Sequence, residues 1–244
     1  MTNRAFERIA ALCAVAVAGL SLLYAVGYLL IAPAAQRKSD VDAFYRSYLA
    51  SPGGMRIAST CLLLSGLVIG LPAVALKRRL SAVAGNASSW AAITGVAAGF
   101  ATTAHGLSAL VGTDRLAGRF ASGDPATHAA VVLAHLAPSP VDPAGLATFC
   151  VAGLSVLVFG DALRRTGPVR SADPGRGAGG PRWGRGLGTL GVVLGLDMVA
   201  LFVANSIGAQ PLVLVTGGLA SVILGPIWWV GVGGLLWREP APAS

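Results

Sequence analysis

An all-α integral membrane bundle is the fold class this sequence predicts, and three observations carry that prediction. Six apolar runs can be traced along the chain, each close to the roughly 20 residues that a helix needs to cross about 30 Å of hydrocarbon. The 244 residues are 55% hydrophobic and 11% charged, with a mean hydropathy of +0.71, whereas about a quarter of the residues in soluble domains are charged. The Lys and Arg residues cluster in short segments beside the apolar runs, as in a polytopic membrane protein. The whole chain is therefore expected to form one membrane domain, with spans at about 9–32, 55–76, 89–111, 143–163, 187–207 and 212–237.

Arg4 and Arg8 precede the first run, Ile9 to Ala32. Ala32-Pro33-Ala34 looks like a signal cleavage site, but the run far exceeds the 7–15 apolar residues of a signal core. A retained first span is expected. Asp40–Ala50 then places Val41, Phe44, Tyr45, Tyr48 and Leu49 on one helical face, with Asp42 and Arg46 on the other. That periodicity predicts a short amphipathic helix lying on the membrane surface. Ser51-Pro52-Gly53-Gly54 breaks it before the second span, which Lys77-Arg78-Arg79 closes. Gly85-Asn86 marks a turn into the third span. In the long segment that follows, Gly112–Asp142, Asp124-Pro125 supplies an N-cap and first helical residue. The helix they begin, Pro125–Ala137, is about 20 Å long at 1.5 Å per residue, too short to span. It should lie flat or dip in and return.

The fourth span ends in Arg164-Arg165, and residues 166–185, rich in Gly, Pro, Arg and Ser, have the composition of a flexible basic linker. Two further apolar runs joined only by Gly208-Ala209-Gln210-Pro211 predict an antiparallel hairpin. Taking alternate sides, twelve Lys and Arg face six. The more basic side is cytoplasmic, so both termini are expected inside and the two longer loops, with their amphipathic helices, outside. Trp183, Trp228, Trp229 and Trp237 lie toward span ends, as in an aromatic belt. Lysine occurs only at Lys38 and Lys77 while Arg, Ala and Gly abound, a usage that points to a bacterial cell (inner) membrane.

A net charge of +8 could suggest nucleic acid. The distribution of the basic residues suits membrane lipids better, with anionic lipid at the cytoplasmic face, so no nucleic-acid partner is expected. The glycine-lined helices allow an oligomer. Cys13, Cys61 and Cys150 fall inside apolar runs without metal-ligand spacing. His128 and His135 stand seven apart on the external helix, where with Asp124 or Asp142 they could be tested as metal ligands, and His105 as a haem ligand. No second ligand set accompanies them, and no cofactor is expected. P-loop, G-x-S-x-G, H-E-x-x-H and strand-linked Rossmann signatures are absent from the sequence.

Asp197, near the middle of the fifth apolar run, is the most informative single residue. An ionised carboxylate there costs about 2.5–3.5 kcal/mol on insertion scales, so it needs a partner, a proton or water. Gly188, Gly191 and Gly195 form a small-residue face for close helix contact, and Asp197 lies about 160° around the helix from Gly195 at 100° per residue. His105 sits in the outer half of the third span with Thr102 on its stripe, and Asn205 ends the fifth span at similar depth. The expectation is an outer-leaflet polar cluster of Asp197, His105, Thr102 and Asn205 that takes a small hydrophobic ligand. A His–carboxylate pair of this kind could also exchange protons near neutral pH.

Several patches resemble a group of functionally uncharacterised bacterial six-helix membrane proteins, domain-of-unknown-function family 4386. They are Tyr48-Leu49-Ala50-Ser51-Pro52-Gly53-Gly54-Met55-Arg56, Pro181-Arg182-Trp183, and Gly225-Pro226-Ile227-Trp228-Trp229. The resemblance covers nearly the whole chain and implies a six-span topology but no activity. It departs in the third span, where that family tends to carry charges and this chain reads Gly99-Phe100-Ala101-Thr102-Thr103-Ala104-His105-Gly106.

Three functions follow as expectations. The first is binding or transport of a small amphiphile, lipid or ion through a polar pocket in the outer half of the bundle. The second is an intramembrane enzyme acting on a lipid or isoprenoid substrate with a His/Asp pair. The third is a structural or partner-binding protein in which glycine faces drive assembly.

Overall fold

The computed structural model describes residues 3–31, 40–137, 139, 141–165 and 180–238. All regular elements among the described residues are helical: α1 (Asn3–Leu29), α2 (Val41–Ala50), α3 (Gly53–Ala84), α4 (Asn86–Phe120), α5 (Pro125–Leu136), α6 (Ala152–Arg165), α7 (Gly180–Ser206), α8 (Gln210–Gly218) and α9 (Gly225–Arg238). A 3₁₀ turn, Pro143–Gly145, and a π-helical segment, Leu146–Val151, lead into α6. A second π segment, Leu219–Leu224, joins α8 to α9.

Five segments are long and apolar enough to cross a membrane: Arg4–Leu29, Gly53–Ala84, Pro143–Arg165, Gly184–Ser206 and Gln210–Arg238. Their outward faces carry large apolar side chains such as Leu12, Leu23, Leu67, Leu196 and Ile227, a surface suited to acyl chains rather than water. The chain is a multi-pass membrane protein built as a helical bundle. Helix α4, at 35 residues, has ample length, but its Gly, Ser and Thr content makes it less apolar than the other five. Of the linker expected at 166–185, residues 166–179 lie outside the described residues. Residues 180–185 begin α7 instead of continuing a coil.

Glycine sets the closest helix contacts. α3 and α4 turn back on each other at Gly85, whose φ of +47° favours glycine. A methyl on Gly106 would come within 2.5 Å of the Leu63 backbone nitrogen. Along α7, the predicted glycine face meets α6: methyls on Gly188 and Gly195 would lie 2.7 Å and 2.6 Å from the carbonyl oxygens of Gly160 and Gly153. Such contacts let backbones approach where lipid offers no hydrophobic drive to associate.

The main core joins α1, α3, α4, α6, α7 and α9 through residues such as Ala14, Leu76, Ala91, Phe159, Leu194 and Val232. Trp228 is fully buried in it and Trp229 nearly so. These two were expected in an interfacial belt; their place one turn into α9 turns both rings inward. Trp237 remains about half exposed, with Arg8 stacked over its ring at 5.7 Å.

At the end of the bundle carrying the N-terminus, Arg79 and Glu7 form a buried ion pair of 3.0 Å. The same guanidinium donates to the carbonyls of Leu235 and Leu236 at 2.9 Å and 3.3 Å. Those oxygens belong to the last turn of α9, where carbonyls lack helical partners and a cation is favoured. One side chain therefore ties α1, α3 and α9 together.

At the other end, α2, α5 and the last turns of α4 form a second core around Val41, Phe44, Tyr45, Tyr48, Ala117 and Val131. Asp40 caps α2 and Asp124 caps α5, accepting from the backbone N–H of Ala43 and Thr127 respectively. The apolar face of α2, expected on the membrane surface, is covered by protein instead, because α5 and the extended end of α4 reach it. Tyr48 and Arg56 both donate to Asp114, at 2.5 Å and 2.9 Å, and tie α2 to α3 and α4.

Candidate functional site

The approach to α6 begins with Asp142-Pro143, the same N-cap and first-residue signature that starts α5. Asp142 is fully buried at the side chain. Its carboxylate accepts from the Ala147 N–H at 2.7 Å, the Thr148 N–H at 3.3 Å and the Thr148 hydroxyl at 2.5 Å. A helix start has backbone N–H groups to spare, which is why an acid can be buried here. The chain bends through left-handed conformations at Ala144 (φ 53°) and Gly145 (φ 76°). At Gly145 the bend requires glycine, since a methyl would fall 2.3 Å from the Phe149 ring. At Ala144, a costly position for a residue with a Cβ, Asn205 holds the turn by donating to its carbonyl at 2.8 Å.

From α4, His105 places Nδ1 3.3 Å from Asp142 Oδ2, an ion-pair distance that lies off the line of a hydrogen bond. One turn earlier, Thr102 donates to Thr148 Oγ1 at 3.2 Å while also reaching the Ala98 carbonyl at 2.8 Å. The result is a chain of polar contacts, Thr102 to Thr148 to Asp142, with His105 on the far oxygen. The His105 side chain is 30% exposed, and its Nε2 makes no hydrogen bond among the described residues. Burial works to raise the Asp142 carboxyl. The adjoining His105 and Thr148 side chains and the Ala147 N–H outweigh it and hold that group below the ordinary carboxylate value.

Three of the four residues expected to form the site thus gather here: His105, Thr102 and, through Ala144, Asn205. Asp197 does not join them as His105's partner. The expected pair is replaced by His105–Asp142, because the start of α6 rather than the middle of α7 lies against that side of α4. Asp197 instead has one oxygen, Oδ2, buried with no donor among the described residues. Asp142 was the residue whose role sequence reasoning missed, although Asp-Pro directly before an apolar run was the available signal.

His128 and His135 do share a face of α5, but that face meets α2. His128 Nε2 lies 2.9 Å from Asp42 Oδ1 and His135 Nδ1 lies 3.2 Å from the Tyr45 hydroxyl. Neither approaches Asp124 or Asp142 as a ligand set. Among the described residues no group of three His, Cys, Asp or Glu side chains converges.

No known family profile, no curated protein and no solved structure matches this chain.

Proposed function

We propose that this protein binds, and on binding moves or presents, a small amphiphile, lipid headgroup or ion at the outer polar cluster of His105, Asp142, Thr148 and Thr102. The observation that carries this reading is the division of labour on His105: one ring nitrogen faces a buried carboxylate while the other has no partner among the described residues, on a partly open side chain. A residue held in this way offers a positioned donor or acceptor to a visitor, and ionisable groups set into a membrane bundle commonly mark ligand and ion paths. Asn205 belongs to the site as the residue that fixes the Ala144 turn.

In this reading α4 completes six spans, both termini are cytoplasmic and the α2–α5 layer covers the site from outside a bacterial inner membrane. The basic residues of the inner face meet anionic lipid. The plan agrees with that of family 4386, and an oligomer remains compatible with it. Reporter fusions after Gly85 and after Ser122 test the topology, the first expected inside and the second outside.

A second reading, an intramembrane enzyme acting on a lipid or isoprenoid, is favoured by the same His105–Asp142 pair, since a base oriented by a buried acid is a recurrent catalytic arrangement. No hydroxyl or thiol of the described residues hydrogen-bonds His105 as a nucleophile, which places binding ahead.

The test is purification in mild detergent followed by mass spectrometry of what is retained. A molecule kept by the wild type and by Asp197→Asn but lost from His105→Ala supports the proposal. Equal retention by all three overturns it. Conversion of a lipid extract by the wild type and not by His105→Ala would favour the enzyme.

A further inference from the structure

The α4–α6 seam continues inward from the cluster. Seven residues along each antiparallel helix separate Thr102 from Gly95 and Thr148 from Ser155, a step of about 10 Å at 1.5 Å per residue. At that second rung Gly95 and Ser155 meet closely, a methyl on Gly95 falling 2.7 Å from Ser155 Oγ. Beside them lies a cavity of about 60 Å³, walled by α3, α4, α6, α7 and α9. Its wall is apolar, including Ile69, Leu76, Phe159 and Met198, except where Ser155 and Trp228 border it.

Trp228 is 0% exposed, and its indole Nε1–H has no acceptor among the described residues. The far edge of its six-membered ring is pressed against α7, where a methyl on Gly191 would come within 2.4 Å of it. That edge of the ring therefore packs directly on the α7 backbone at Gly191. Ser155 spends its hydroxyl hydrogen on the Ala91 carbonyl at 2.7 Å, which leaves its oxygen lone pairs able to accept.

An indole N–H buried without an acceptor carries its full desolvation penalty, and in a membrane interior no bulk solvent relieves it. A water needs only some 10–15 Å³ of such space together with polar partners. We infer that the cavity is an internal water site, in which a bound water accepts from Trp228 Nε1–H and donates to Ser155 Oγ, one rung inward of the outer cluster. This site does not depend on what the outer cluster binds. It gives the interior of the bundle a hydrated position on the seam that carries Thr102 and Thr148.

The test uses the full-length protein, labelled with ¹⁵N-tryptophan, in detergent micelles. The indole signal of Trp228 is assigned by its disappearance in Trp228→Phe. Water-selective transfer in the wild type is expected to give a direct cross-peak at the Trp228 indole proton, and Ser155→Val is expected to remove it while the other tryptophan signals stay. A folded wild type with no water cross-peak at Trp228 overturns the inference. So does a shift of the Trp228 signal under xenon pressure, which marks a dry apolar void. If Ser155→Val does not fold, the wild-type cross-peak and the xenon response decide the matter alone.

Discussion

Asp142 stands just before one apolar segment and Asp197 within another, and the structure treats the two carboxylates in opposite ways. Asp142 opens a helix, where free backbone N–H groups converge on it, and it is held by Ala147, Thr148 and His105. Asp197 lies within α7, where every nearby N–H is committed to the helix, and its Oδ2 has no donor among the described residues. Position relative to the helix end decides whether a membrane acid can be buried as a charge. Depth along an apolar run does not.

The largest effect expected from this contrast is on Asp142→Ala. It removes an N-cap and leaves the Thr148 hydroxyl and His105 facing a void, at a cost of roughly 3–5 kcal/mol. Thermal unfolding in detergent measures it. Arg79→Ala should cost a similar 3–5 kcal/mol by stranding Glu7 and the α9 carbonyls, yet leave ligand retention by the folded fraction unchanged. That pairing separates damage to the scaffold from damage to the site.

Acid should act through Asp142 as well. Its folded-state carboxyl lies below its unfolded value, so its contribution is present above the unfolded value of about 3.9 and is lost as pH falls through the folded one. Unfolding followed below about pH 4 should therefore steepen in the wild type and flatten in Asp142→Asn. A smaller effect is expected from Asn205→Ala, about 1 kcal/mol for the single bond to Ala144, with weakened ligand retention as the strained turn relaxes. Asp197→Asn should be the mildest, within about 1 kcal/mol of wild type, because no hydrogen bond to a described residue is lost. A cost for Asp197→Asn that matched Asp142→Ala would abolish the contrast.

Much of the scaffold was legible in the sequence. The apolar runs, the cap Asp124, the Gly85 turn and the glycine face of α7 were all read from local pattern, and each concerns one helix or one turn. What escaped depends on which helices meet. Trp228 was placed at an interface by its nearness to a span end, whereas contact with Gly191 makes it core. The Glu7–Arg79 clamp joins residues 72 positions apart, and nothing local to either marks the other. His105 and Thr102 meet Asp142 and Thr148, but their partner was sought in the middle of an apolar run. It stood at the start of one, where a hydropathy profile counts an acid as loop.

A double-mutant cycle in unfolding free energy asks most directly which acid His105 works with. The account predicts a coupling of about 0.5–3 kcal/mol between His105→Ala and Asp142→Asn, as for residues in one network. His105→Ala and Asp197→Asn should be additive to within about 0.3–0.5 kcal/mol. Additivity with Asp142 and coupling with Asp197 would contradict it.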